Sequence, residues 1–181
     1  RISGGKRHFE KQTVDYIKRI WLELGFKEMT GDMVGTSLWD LDALFIPQDH
    51  PARQMQDSFY IRDPKTNSVS QGKLDPIYKK IKQVHEDGGD TGSEGWRQPW
   101  SEAVAKEVML RTHTTILSAK TIAGLKDSDL PAKFFAIGKV FRNEALDWSH
   151  LFEFNQVEGI VIDENANFKH LVGYLRNFYQ K

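Results

Sequence analysis

The 181-residue sequence contains no cysteine, which excludes disulfide bridges and thiolate zinc sites from its fold. It also lacks any apolar run near the roughly 20 residues that a membrane-spanning helix needs, so we expect no membrane contact. Neither charge is in excess, because Lys plus Arg and Asp plus Glu each number 25. This balance disfavours a surface that mainly neutralises nucleic-acid phosphates. A chain without cysteine also suits the cytoplasm, which is the location we expect.

Hydrophobic periodicity predicts one domain that mixes helices and strands. Apolar side chains recur at helical spacing in residues 9–24, and further helices are predicted at 115–124 and from residue 168. Two strands, 134–144 and 151–162, are joined by a short turn and are therefore antiparallel. The sequence predicts an α+β fold in which helices flank a mainly antiparallel sheet.

Residues 64–100 differ in composition and are interpreted as an insertion in this domain. Four glycines between 88 and 95 indicate a loop. The preceding group of His85, Glu86, Asp87 and Asp90 contains metal-ligand residue types, but we interpret it as an acidic loop exposed to water.

The second strand carries polar residues in an unusual place. One face is formed by Phe152, Phe154, Gln156, Glu158, Ile160 and Ile162. This face could point outward, with Val157 on the core side, or Glu158 could pair with Arg142 across the strands. It could also form the polar floor of a pocket. Periodicity leaves these three alternatives open.

Local sequence motifs favour the pocket. Val140-Phe-Arg-Asn-Glu-Ala-Leu-Asp-Trp-Ser-His150, followed by Phe154-Asn-Gln-Val-Glu-Gly159, resembles motif 2 of class II aminoacyl-tRNA synthetases in its phenylalanyl form. Leu110-Arg-Thr-His-Thr-Thr115 resembles that family's amino-acid-binding element. Asp42-Ala-Leu-Phe-Ile-Pro-Gln-Asp-His-Pro-Ala-Arg53 and Met55-Gln-Asp-Ser-Phe-Tyr60 resemble the segment after motif 1. Together with the insertion, they resemble the alpha, or catalytic, subunit of the archaeal and eukaryotic cytosolic type.

The resemblance implies roles for four residues on the ATP side of a site. Arg142 would contact the α-phosphate and the reacting carboxylate, and Glu144 would help hold the ammonium group or the ATP end. His150 would touch the triphosphate, and Phe154 would stack on adenine. Arg142 and Glu144 are thus implied as the catalytic pair.

Five further residues are implied in phenylalanine binding. His113 and Thr115 would meet the ammonium group, and Tyr60 would lie near the carboxylate. Gln156 and Glu158 would border the aromatic ring.

The same resemblance implies the wider setting. ATP and Mg²⁺ would be the cofactors, without a protein metal site, and phenylalanine and tRNA(Phe) the substrates. A beta subunit would complete an α2β2 heterotetramer. The chain would be one truncated catalytic domain, with motif 1 at about 8–36, the insertion at about 64–100 and motif 2 at about 134–163. It would stop before the family's third motif, and would therefore bind its ligands but catalyse poorly.

Two departures and two alternatives accompany this interpretation. Gly31-Asp32 replaces a usual Gly-Pro, and Leu38-Trp-Asp-Leu-Asp42 replaces a Phe-Trp-Asn-Phe-Asp-like run. One alternative is the related ligase for O-phosphoserine, although its substrate favours hydroxyls and positive charge over Glu158. The other is a non-catalytic synthetase-like binding module, which would not need Arg142. In the family motif 1 forms a subunit interface, so Trp21 or Tyr16 is expected to be exposed toward a partner.

Overall fold

The computed structural model describes residues 4–53, 58–67, 75–143, 145 and 147–181. Predictions for Glu144, and for the part of the Met55–Tyr60 motif up to residue 57, lie outside these residues. The helices are α1 (Phe9–Glu23), α2 (Ser37–Asp40), α3 (Asp75–Asp87), α4 (Glu102–Ala105), α5 (Thr115–Gly124) and α6 (Phe168–Tyr179). The strands are β1 (Lys27–Glu28), β2 (Val34–Thr36), β3 (Val108–Leu110), β4 (Ala132–Phe141) and β5 (Glu153–Ile162). Short 3₁₀ turns occur at Asp42–Leu44, Pro51–Arg53 and Asp127–Asp129.

The predicted antiparallel strand pair forms most of the main sheet. β4 and β5 pair from Ala132 opposite Ile162 to Phe141 opposite Glu153. β1 adds a short parallel edge to β4, and β2 pairs with β3 in a separate antiparallel ribbon. The α+β prediction is confirmed.

Helix α1 covers one face of the sheet through Trp21. Its indole stacks on Phe135 with ring centroids 5.9 Å apart and also contacts Phe26 and Phe178. Of the two residues expected to be exposed, Trp21 is only partly so, because α6 brings Phe178 over it. Tyr16, by contrast, is 50% exposed.

The opposite face of β4 packs on α5. Ile116 and Leu117 of α5 form a buried cluster with Ala136 and Met29. The face of β5 that carries Gln156 and Glu158 is therefore turned toward a helix and is not the water-facing side of the sheet.

The insertion contributes to a second part of the core. Tyr78 and Ile81 of α3 pack against a cluster formed by Leu38, Trp100 and Ala105. His85 at the end of α3 is only 3% exposed, and its Nε2 lies 2.8 Å from the backbone oxygen of Asp42. The prediction of a loop exposed to water is therefore wrong for His85, because this residue lies at the end of α3 and is buried against the backbone of Asp42.

Candidate functional site

A buried carboxylate fixes the segment that follows β3. Asp40 has no exposed surface, and it accepts hydrogen bonds from the backbone nitrogen of Thr112 at 3.2 Å and from its hydroxyl at 2.8 Å. Burial raises the pKa of Asp40, an effect partly opposed by the nearby His113 and by the bonds from Thr112. Asp40 thereby sets the backbone position of residues 112 and 113.

Arg111 ties this segment to the main sheet. Its Nε donates to the backbone oxygen of Lys139 at 2.7 Å, and its own backbone oxygen accepts from Phe141 at 3.0 Å. The guanidinium lies so close to Gly138 that a Cβ there would stand 2.3 Å from Nη2. Glycine at 138 is needed for this contact. The end of β3 is therefore locked against β4.

Arg142 continues from β4 toward the same segment. Its Nε donates to the backbone oxygen of Thr112 at 3.1 Å, and its guanidinium lies 5.2 Å from the centroid of the Phe154 ring. This distance is typical of a cation–π contact. Arg142 and Phe154, which the motif resemblance had placed on the ATP side, are thus adjacent on neighbouring strands.

His113 and Arg142 line a cavity of about 300 Å³. The remaining wall comes from Leu41, Ile46, Ala52, Ser58 and Thr112. Both ring nitrogens of His113 are enclosed and have no hydrogen-bond partner within the described part of the chain. Buried polar atoms are normally satisfied, so His113 is a candidate for contact with a polar group beyond the described residues.

Arg53 holds the loop that forms the far wall. Its guanidinium pairs with Asp42 at 2.5 Å, donates to the Ser37 hydroxyl at 2.8 Å and also donates to the Ile46 backbone oxygen. Its Nε donates to the backbone oxygen of Pro47 at 2.7 Å. Burial raises the pKa of Asp42, while Arg53 acts in the opposite direction. This network secures the loop that carries Ile46 and Ala52.

Glu158 is held by the first turns of α5 and by its neighbour on β5. Its carboxylate accepts from the hydroxyls of Thr114 at 3.1 Å, Thr115 at 2.7 Å and Ser118, and from Gln156 Nε2 at 3.3 Å. Neither the outward-facing alternative nor the Arg142–Glu158 pair describes this arrangement. The hydroxyl of Thr115 is directed at Glu158.

Comparison with known proteins decides the family. Residues 1–181 match the family described as tRNA synthetases class II core domain (F). The chain belongs to this family. The family match extends over the whole sequence, in agreement with its α+β fold.

Relatives of this class II core share one name. The phenylalanine–tRNA ligase alpha subunit of Methanopyrus kandleri is 46% identical over 177 residues, covering 98% of the chain and 33% of the relative. The alpha subunit of Methanothermobacter thermautotrophicus is 45% identical, and the match covers 99% of the chain and 34% of the relative. That of Methanoculleus marisnigri is also 45% identical, and the match covers 100% of the chain and 36% of the relative. The chain thus spans about a third of the length of these relatives.

Of the predicted site residues that the structure describes, only His113 and Arg142 line the cavity. Those outside its lining are Tyr60, Thr115, His150, Phe154, Gln156 and Glu158. Tyr60 bridges to Met109 beside β3, and burial raises the pKa of its hydroxyl. His150 lies in the exposed turn between β4 and β5, with Nδ1 2.8 Å from Asp147. This contact holds the pKa of Asp147 well below its ordinary value. Glu144 lies outside the described residues.

Asp40, Arg53 and Ser118 were not singled out from the sequence. Asp40 and Arg53 belong to segments that resemble the family, but nothing local distinguishes a buried Asp or Arg from an exposed one. Ser118 had one usable signal, since it follows Thr114 and Thr115 by one helical turn and shares their face.

The described residues include no group of three or more His, Cys, Asp or Glu side chains placed to hold a metal ion. In the same part of the chain, no helix combines the length and apolarity required to cross a bilayer.

Proposed function

We propose that this chain supplies part of the site at which ATP activates phenylalanine for transfer to tRNA(Phe). The observation that carries the proposal is the cavity of about 300 Å³ that His113 and Arg142 both line, where the ring nitrogens of His113 have no hydrogen-bond partner among the described residues. A hydrogen-bonding imidazole beside a fixed guanidinium suits a ligand that bears both a carboxylate and an amine.

The chemistry asks little of the protein beyond alignment and charge. The substrate carboxylate is already ionised, so its attack on the α-phosphorus needs no general base. Arg142 stays protonated and can donate to two oxygens, which suits the negative charge that develops at phosphorus. Its bond to Thr112 holds the guanidinium in place before the reaction.

In this proposal Phe154 and Mg²⁺ both contact ATP. The Phe154 ring lies against Arg142 and offers a surface on which adenine can stack. Mg²⁺ is usually bound through substrate phosphates with few protein carboxylates, so it would enter with the triphosphate and needs no cage of protein ligands. His150, in its exposed turn, would reach the outer phosphates.

The wider assembly is also part of the proposal. A beta subunit in an α2β2 tetramer, together with the rest of the full-length alpha subunit, would supply the tRNA contacts. The assembly would work in the cytoplasm. A zero formal net charge is consistent with a chain that is not itself the main tRNA-binding surface. Within the chain we retain motif 1 at about 8–36, the insertion at about 64–100 and motif 2 at about 134–163.

Binding is tested by calorimetry on the full-length protein, with phenylalanine and O-phosphoserine as ligands. We expect phenylalanine to bind and O-phosphoserine to fail, because in this proposal Gln156 and the carboxylate of Glu158, which lie side by side on β5, border the substrate side chain. His113→Ala should weaken phenylalanine binding roughly tenfold, since it removes hydrogen bonds to a charged group.

Catalysis is tested separately by ATP–pyrophosphate exchange. We expect the 181-residue chain alone to bind phenylalanine but to exchange feebly, because it is a third as long as its relatives. Exchange by the chain alone at the rate of the full-length protein would contradict this expectation. Phenylalanine binding without exchange in the full-length protein would identify a non-catalytic binding module.

A further inference from the structure

A short turn places the part of the cavity wall that is formed by Leu41 and Ile46. The backbone nitrogen of Ile46 donates to the backbone oxygen of Leu41 at 3.2 Å, and that of Phe45 donates to the backbone oxygen of Asp42 at 2.9 Å. Phe45 has a φ of 63°, a left-handed conformation that is uncommon for residues other than glycine. Such a conformation persists where the surrounding contacts impose it.

Two side chains of the insertion make these contacts. His85 Nε2 donates to the backbone oxygen of Asp42 at 2.8 Å, and Trp96 Nε1 donates to that of Phe45 at 3.2 Å. The Trp96 ring stacks on the Phe45 ring with centroids 4.9 Å apart, and the His85 ring lies edge-on to Phe45 at 5.3 Å. Because a carbonyl oxygen only accepts hydrogen bonds, Nε2 of His85 carries its proton. The turn is thus held through two backbone oxygens and one ring.

The glycine-rich loop of the insertion brings Trp96 beside His85. The backbone nitrogen of Trp96 donates to the backbone oxygen of His85 at 2.7 Å. Gly95 has a φ of 65°, and a Cβ there would stand 2.8 Å from the same oxygen, so the return of the chain requires glycine. This loop therefore has a structural purpose, which is to place the Trp96 ring on Phe45.

The insertion and Arg53 hold different parts of the turn. Arg53 donates to the backbone oxygen of Ile46 at its end, whereas the insertion holds its beginning. Neither His85 nor Trp96 lines the cavity. Both can therefore influence a ligand in the cavity only through the turn.

We propose that the insertion is a positioning element of the site, in which His85 and Trp96 fix the turn at Phe45 and thereby the place of Ile46 in the cavity wall. This inference rests on the proposed function, because it takes phenylalanine as the ligand of that cavity. Ile46 directly follows Phe45, so a shift of the Phe45 peptide moves the wall residue. A displaced wall loses its contact with the ligand and lowers the affinity, although the residues that bond to the ligand are unchanged.

The first test measures phenylalanine binding by calorimetry on the full-length protein. His85→Met removes the donor and keeps a side chain of similar length, and it should raise the Kd roughly three- to tenfold. His85→Gln retains an N–H donor at the end of the side chain and should stay within about twofold of the wild type. A merely structural role would lower the number of binding sites per chain and leave the Kd unchanged. That outcome, or an equal rise in both variants, would overturn the inference.

A second variant serves if the His85 variants fold poorly. Trp96 is 43% exposed, and Trp96→Phe keeps a ring for Phe45 but removes the N–H donor. We expect its Kd to rise roughly two- to fivefold. An unchanged Kd would overturn the role of the Trp96 hydrogen bond in the inference.

The matched control is Glu94→Gln in the same loop. The Glu94 carboxylate pairs with Arg97, and both side chains are exposed. The variant should leave the Kd within about twofold of the wild type, since an exposed pair contributes little to the fold. A rise as large as that of His85→Met would show a general effect of the loop and overturn the assignment to His85.

The last test needs no ligand. In His85→Met, hydrogen exchange followed by mass spectrometry should be at least about fivefold faster in a peptide that covers residues 41–46, with peptides from β4 unchanged. Exchange that is unchanged, or that is faster everywhere, would overturn the inference. If only the 41–46 peptide responds and the wild type binds no phenylalanine, the insertion does position the turn, while the proposed function fails.

Discussion

The indole of Trp21 lies directly on the backbone of Gly159. A Cβ at residue 159 would stand 2.4 Å from Cη2 of Trp21, and the ring cannot withdraw because Phe26, Phe135 and Phe178 surround it. Glycine at this position of β5 lets α1 and α6 meet over the sheet.

Gly159→Ala should therefore destabilise the protein. Overpacking of a filled core costs about 1–3 kcal/mol, and we expect a loss of that size in chemical denaturation. Gly173→Ala in α6 is the control, because a Cβ there meets nothing within 4 Å and alanine favours a helix. A loss at residue 159 no larger than the change at residue 173 would contradict the packing described for Trp21.

Arg53 should be far more important to stability than an exposed arginine. Arg53→Met leaves Asp42 buried and unpaired, which we expect to lower the free energy of unfolding by about 3–5 kcal/mol. Arg97→Met breaks the exposed pair with Glu94 and should cost less than about 1 kcal/mol. Urea denaturation of both variants measures the difference, and similar losses would refute the buried network.

How far the sequence alone predicts this fold depends on whether a signal is local. Helix α5 was predicted with its observed limits, because apolar spacing is a local feature. The predicted first strand begins two residues after the observed start of β4 and runs past its end at Phe141, and the predicted second strand begins two residues before β5. His85 was misjudged because the glycines after it indicate a loop, whereas its burial depends on Asp42, far away in the chain. Local spacing could not decide whether Trp21 or Tyr16 is the exposed residue, because α6, which covers Trp21, lies at the other end of the sequence.

The candidate site divides in the same way. Arg142, Phe154 and His113 were identified from motifs. In the structure the Arg142 guanidinium lies over the Phe154 ring, and Arg142 lines the same cavity as His113. Asp40 was missed, because a hydrogen bond to a distant backbone nitrogen leaves no pattern in the sequence. Ser118 was missed although its helical spacing from Thr114 and Thr115 places it on their face, because that spacing does not show that all three contact Glu158.

Asp40 should make stability depend on pH. Burial raises its pKa above the ordinary value of 3.8, so the folded protein holds the proton more tightly than the unfolded chain. By linkage, the contribution of Asp40 is greatest below that ordinary value and declines as pH rises toward the folded-state pKa.

Asp40→Asn is the matched variant, because its carbonyl oxygen can still accept from Thr112 but it does not titrate. We expect the wild type to lose stability relative to Asp40→Asn as the pH rises from the ordinary value of 3.8 toward the raised folded-state pKa, measured by denaturation at several pH values. A stability difference that is constant with pH, or that moves the other way, would contradict the assignment of a raised pKa to Asp40.

The central claim is that Arg142 stabilises the negative charge that develops at the α-phosphorus of ATP when phenylalanine is activated. Phenylalanine-dependent ATP–pyrophosphate exchange by the full-length protein tests it most directly, in the wild type, in Arg142→Lys and in Arg97→Lys as an exposed control. We predict exchange in the wild type and the control, and a loss of roughly 10²–10³-fold in Arg142→Lys, because a lysine cannot reproduce the two-oxygen contact. Exchange that is unchanged by Arg142→Lys, or that depends on O-phosphoserine in place of phenylalanine, would contradict the account.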